Sequence, residues 1–94
     1  MAVIEVETFT LVGGVNVEKF HSLDEMMQEW SYLNRPGIAR RTVAVDANGK
    51  FIVVTLFGEA SQADAGYRNY AGISQAWLAC IAEGLTTHEV FSLF

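Results

Sequence analysis

Seven residues in the middle of the chain, Phe51-Ile52-Val53-Val54-Thr55-Leu56-Phe57, are all apolar except for one threonine. β-Branched and aromatic side chains dominate the run, and turn-forming residues bound it on both sides, so it reads as a strand. A strand that does not alternate cannot turn one face to water, so any fold adopted by this chain has to cover it twice. One residue before it stands Asn48-Gly49, a pair suited to a tight turn because both residues tolerate positive φ. With Ile38 to Val45 on one side and Lys50 to Phe57 on the other, the pair predicts a β-hairpin.

The remaining segments fall into place around that hairpin. Val3 to Leu11 alternates with a period of two, with Ile4, Val6 and Thr8 on one side and Val3, Glu5, Glu7, Phe9 and Leu11 on the other, and predicts a first strand. From Val17 to Leu33, Phe20, Leu23, Met26, Met27, Trp30 and Leu33 recur at helical steps, while Glu18, Asp24, Glu25, Gln28 and Glu29 fill the opposite face. Asn16 suits the N-cap of this helix, and the capping box Ser22-Leu23-Asp24-Glu25 offers a later start. After the turn Arg35-Pro36-Gly37 and the hairpin, Ser61 opens a short helix carrying Ala63, Tyr67 and Tyr70. Ser74 opens a second with Trp77, Leu78 and Ile81, which Gly84 closes. Thr86 to Phe94 reads as a last strand with His88, Val90, Ser92 and Phe94 on one face. The order strand, helix, strand, strand, broken helix, strand is the ferredoxin-like βαββαβ pattern: an α+β sandwich on a four-stranded antiparallel sheet, expected as one domain over residues 1–94.

In that pattern both helices cover one face of the sheet, and the other face remains too apolar for solvent. A second copy related by a two-fold axis would cover it, so a homodimer closing a dimeric α/β barrel is expected, with an interface of roughly 2,000 Å² or more. Composition agrees, since 51% of residues are hydrophobic and only 18% charged. The net charge of −5 repels phosphate backbones and anionic membrane surfaces, and the lone basic pair Arg40-Arg41 is too short for a nucleic-acid stripe. No stretch approaches the ~20 apolar residues of a membrane span. Residues 1–12 alternate instead of forming a basic-then-apolar leader, and Cys80 has no disulfide partner in the chain, so a reduced, cytoplasmic location is expected.

The stretch Val3 to Leu11, then Gly14-Val15-Asn16 leading to Phe20, then Pro36-Gly37-Ile38-Ala39-Arg40-Arg41, then Asn48-Gly49-Lys50-Phe51 running to Phe57 with Ala63 and Ala65, and the closing His88 to Phe94 resemble, in order and spacing, the antibiotic-biosynthesis-monooxygenase-like branch of the dimeric α/β barrel superfamily. The resemblance implies a homodimer with a pocket between sheet and helices in each subunit, used by some members for cofactor-free oxygenation of polycyclic phenols and by others for haem breakdown. Arg41 matches that family's arginine after Pro-Gly and is the candidate here for clamping an anionic group. Active members tend to place a polar amide or carboxylate on the third strand and a tryptophan four residues later; here those positions are Val53 and Phe57, so the aromatic character remains and the polar group does not. Haem-degrading members use a histidine on the helix before the last strand, and residues 74–83 contain none, which points away from haem; no cofactor is expected.

Several residues are candidates for chemistry. His88 on the last strand could act as a base near neutral pH, with a hydrogen-bonded structural histidine as the alternative. His21 sits among acidic residues on the polar side of its helix, and a metal site joining it to His88 would have to bridge opposite faces of the fold, so no metal is expected. Glu5 and Glu7 share one face of a central strand and need partners, for which Arg40 or Arg41 are candidates, either as an ion pair setting dimer register or as a clamp for an acidic ligand. Trp30, Tyr67, Tyr70 and Trp77 come from helical faces turned toward the sheet, so with Phe57 they would line a pocket or fill the core. The hydroxyls of Tyr67 and Tyr70 are the groups best suited to touch a ligand.

Two functions follow. The chain is either a small-molecule protein, including a cofactor-free oxygenase of an aromatic or hydrophobic substrate with His88 as base, or a non-catalytic dimeric module whose pocket is filled by side chains. An open cavity lined by a titratable group favours the first, and a closed apolar core the second.

Overall fold

The computed structural model describes residues 1–63, 72–82 and 86–94. Its sheet has strands β1 (Val3–Phe9), β2 (Ile38–Val45), β3 (Phe51–Phe57) and β4 (Thr87–Ser92), ordered β2-β3-β1-β4 with every described pairing antiparallel. Helix α1 (Val17–Asn34) joins β1 to β2, and a 3-10 turn at Ala60–Gln62 and helix α2 (Ile73–Leu78) lie between β3 and β4. This is the ferredoxin-like α+β arrangement. Gly84, Tyr67 and Tyr70 lie outside the described residues, as does most of the helix expected from Ser61.

Asn16 starts α1 by accepting hydrogen bonds at its side-chain oxygen from the Glu18 and Lys19 amides at 2.8 and 3.2 Å, so the later capping box does not set the boundary. The helix ends at Arg35, whose extended backbone is the conformation favoured before proline. The hairpin forms where expected by different turn chemistry. Among its residues Gly49 alone has positive φ, and the Asp46 carboxylate accepts the Asn48 and Lys50 amides at 2.9 Å each, giving a three-residue loop with its glycine in the left-handed position.

On one side of the sheet, β1 turns Val3, Glu5, Glu7 and Phe9 inward and β3 turns Phe51, Val53, Thr55 and Phe57 inward, all buried. Phe9, Phe51, Phe20 of α1 and Trp77 of α2 meet here, with Phe9 stacked on Phe51 at 5.5 Å and edge-on to Trp77 at 5.3 Å. Both helices therefore pack over the same face. The inward stripe of α1 is Phe20, Asp24, Met27 and Ser31, which departs from the apolar row expected. Met26 and Leu33 are exposed, whereas Asp24, placed by its charge on the polar side, is buried. At about 3.6 residues per turn, a stripe through Phe20, Asp24 and Met27 leaves Met26 and Leu33 on the far side, and partners for the Asp24 carboxylate make that register affordable.

The opposite face of the sheet carries Ile4, Val6, Ile52, Val54, Leu56 and Phe91, adjacent across the strand pairs and half-buried or exposed within one chain. Among the described residues no helix is long and apolar enough to cross a membrane.

Candidate functional site

Glu5 is 0% exposed, an unusual place for a carboxylate. Antiparallel α1 returns the chain to the start of β1, so the residue that ends the helix, Arg35, stands over Glu5. Its guanidinium makes a two-pronged pair, Nη1 to Oε1 at 3.0 Å and Nη2 to Oε2 at 2.8 Å, and lies 5.0 Å above the ring centroid of Phe57. From the other side, β4 brings His88 Nε2 to 2.9 Å from Glu5 Oε2. Burial on its own would push the Glu5 carboxyl up; the Arg35 hydrogen bonds and charge, joined by His88, outweigh it and hold Glu5 below its ordinary value. Glu5 is thus ionised and can only accept, so Nε2 of His88 carries the proton and donates it, and a neutral ring keeps its Nδ1 lone pair.

A second buried charge cluster lies across the core. Asp24 accepts from Arg41 at 2.7 and 3.2 Å and from Trp77 Nε1 at 2.9 Å, while Arg41 also reaches Gln28 at 3.3 Å. One carboxylate thereby ties α1, β2 and α2 together. The backbone amide of Arg41 donates to the Tyr32 hydroxyl at 2.9 Å, so the helix also caps a main-chain donor of β2, an edge strand.

Beside His88 a cleft of about 580 Å³ opens between β4 and α2, lined among the described residues by Gln75, Leu78, Ala79, Ile81, Thr86, Thr87 and His88. Its size suits a small organic molecule. The His88 side chain is 26% exposed, so one histidine touches both the cleft and the buried carboxylate.

The expected site residues separate into two groups. His88 and Phe57 belong to the Glu5–Arg35 cluster, Phe57 fully buried under the guanidinium. Arg41 and Trp77 meet at Asp24 instead, and Trp30 is half-buried against the aromatic core. The partner sought for Glu5 was Arg40 or Arg41; it is Arg35, because Asp24 engages Arg41 and Arg40 is exposed. His21 is exposed and pairs with Glu25 at 3.3 Å. Among the described residues no group of three or more histidines, cysteines and carboxylates could hold a metal ion. Arg35 had passed as a turn residue; the available signal was its position at the end of a crossover helix that must return to the buried face holding Glu5.

No protein-family profile matches the chain, and no curated protein matches it in sequence. Solved structures do match in fold. The cofactor-independent oxygenase SnoaB from Streptomyces nogalater superposes with a TM-score of 0.73 at 16% identity, over 99% of this chain and 93% of that one. A proposed antibiotic biosynthesis monooxygenase from Bordetella bronchiseptica gives 0.75 at 12% identity, over 99% and 97%. A dimeric ferredoxin-like protein of unknown function from Jannaschia sp. CCS1 gives 0.70 at 9% identity, over 99% and 100%. The structural neighbours are thus ferredoxin-fold proteins of the antibiotic-biosynthesis-monooxygenase-like kind, and at these identities the likeness defines the fold.

The Glu5 pair has a pH signature. A carboxylate whose pKa is lowered by folding stabilises the folded state above its unfolded pKa, and that stability disappears as pH falls through the folded value. Glu5→Gln, which removes the carboxylate charge from its two-pronged pair with the buried Arg35, should cost about 3 kcal/mol or more at neutral pH. Urea unfolding of both proteins should show the gap narrowing on acidification below about pH 4; a gap independent of pH would contradict an ionised Glu5.

Proposed function

We propose that this chain is a small-molecule enzyme of the cofactor-free oxygenase kind, acting on an aromatic substrate held in the cleft beside His88. The observation that carries this is the 2.9 Å contact of the cleft-lining His88 with a buried, ionised Glu5. A histidine whose Nε2–H is held by a carboxylate has a defined tautomer and orientation, as a general base requires. His88 would take a proton from an acidic carbon next to a carbonyl; the resulting carbanion gives its electrons to dioxygen and forms a carbon–oxygen bond, and the peroxide loses water to leave a new carbonyl. The substrate is itself the reductant, so no cofactor is needed. Arg35 keeps Glu5 ionised, and Thr86, Thr87 and Gln75 line the cleft as polar contacts. The open cleft favours this function over a filled, non-catalytic module, and the fold shared with SnoaB, a cofactor-independent oxygenase, is consistent with it. Arg41, Trp30, Trp77, Tyr67 and Tyr70 stay proposed as contacts or supports of the pocket.

Anthrone incubated with the protein should gain oxygen and lose water by mass only under air. His88→Ala should slow this by about a hundredfold or more. Full activity without the imidazole would remove His88 as the base, and no product from the wild type would remove the function.

We propose further that a second copy covers the open sheet face through Ile4, Val6, Ile52, Val54, Leu56 and Phe91. One of the structural neighbours is described as dimeric. Light scattering should give twice the mass of one chain, and Val54→Lys, a charge set in the middle of that face, should yield monomers. A wild type that stays monomeric at high concentration would contradict the assembly.

A further inference from the structure

Arg35 stands in a turn that fixes its place. Its amide donates to the Ser31 carbonyl at 2.8 Å, its backbone is extended before Pro36, and Gly37 follows at a φ of 85°, a conformation that favours glycine. The side chain is 7% exposed and holds Glu5 at 2.8 and 3.0 Å above the Phe57 ring. Neither Arg35 nor Glu5 is among the described residues lining the His88 cleft, so any effect of Arg35 there passes through Glu5 to His88 Nε2, 2.9 Å from the carboxylate. The other charges near this carboxylate do not replace Arg35. β1 adds Glu7, buried on the same face and paired with His88 in the strand register. β3 turns Phe57 and Thr55 inward, Glu89 follows His88 and so faces the opposite side of the sheet, and α2 carries no charge. Arg41, the other buried cation, is engaged by Asp24. Among the described residues Arg35 is therefore the one permanent cation in contact with Glu5.

We propose that Arg35 is a positioning residue for the base: through its pair with Glu5 it keeps Nδ1 of His88 free of hydrogen and able to take the substrate's proton. This rests on the oxygenase function proposed above. Without the guanidinium charge, the Glu5 carboxylate would remain in the interior beside His88 and Glu7, of which only His88 can turn positive, and burial disfavours the bare anion. The Glu5–His88 pair then holds one proton more. Placed on Glu5, that proton is donated to Nε2, and the ring's own hydrogen moves to Nδ1. Placed on the ring, it leaves both nitrogens protonated. Both arrangements put hydrogen on Nδ1 and remove the lone pair that a base requires. The charge of Arg35, more than its shape, does this, so lysine should serve in its place.

The test compares wild type, Arg35→Met and Arg35→Lys by two-dimensional NMR of the histidine nitrogens at neutral pH without substrate, alongside the pH profile of anthrone oxygenation. Wild type and Arg35→Lys should show Nδ1 of His88 bare, and Arg35→Met should show it protonated. Arg35→Met should oxygenate anthrone roughly tenfold or more slowly at neutral pH and recover as pH rises and the added proton is lost. Equal slowing at every pH would mean a purely structural role and overturn the proposal. A bare Nδ1 in Arg35→Met, or a protonated one in Arg35→Lys, would overturn it as well, and the second decides alone if Arg35→Met does not fold. Rings that behave as expected in a wild type that makes no product would overturn the oxygenase function and Arg35's part in it together. A contrary ring in an active enzyme would overturn the role of Arg35 alone.

Discussion

A carboxylate with no access to water has to be compensated by charge and hydrogen bonds, and Glu5 shapes much of this molecule through that need. Arg35 must reach it, so α1 has to end where its last residue can fold back over β1. His88 must reach it too, which fixes β4 beside β1 in the register that pairs Glu7 with His88. Phe57 supports the guanidinium from below. Each of these contacts joins segments far apart in the chain, so the pair acts as a registry device as well as a chemical group.

The same burial gives the site its chemical character. In water a glutamate–histidine contact is weak and exchangeable; in a dry interior the carboxylate sets which ring nitrogen holds the proton. Arg35 pairs with Glu5 in the interior, and His88, 26% exposed, meets the cleft while the Glu5 carboxylate stays fully buried. The Asp24–Arg41–Trp77 cluster ties α1, β2 and α2 together on the other side of the core, and none of its three residues lines the His88 cleft.

Much of the fold was legible because it rests on local periodicity. The two-residue alternation of β1, the unbroken apolar run of β3, the Asn16 cap and the Asp46–Gly49 turn each act over a few residues. Asp24 was misplaced because a charge on a helix reads as a solvent mark, and only Arg41 and Trp77, which approach from β2 and α2, make its burial possible. For the same reason the candidate site was half legible. His88 and the buried face of Glu5 follow from strand patterning, whereas choosing Arg35 over Arg40 or Arg41 depends on where a whole helix ends.

The most direct test is the protonation of one ring. In nitrogen-labelled protein at neutral pH, two-dimensional NMR should find His88 as a single tautomer with its proton on Nε2, slow to exchange because it is given to Glu5. A proton on Nδ1, or rapid averaging between the two nitrogens, would mean that Glu5 does not hold the histidine, and the chemistry assigned to the cleft would lose its foundation.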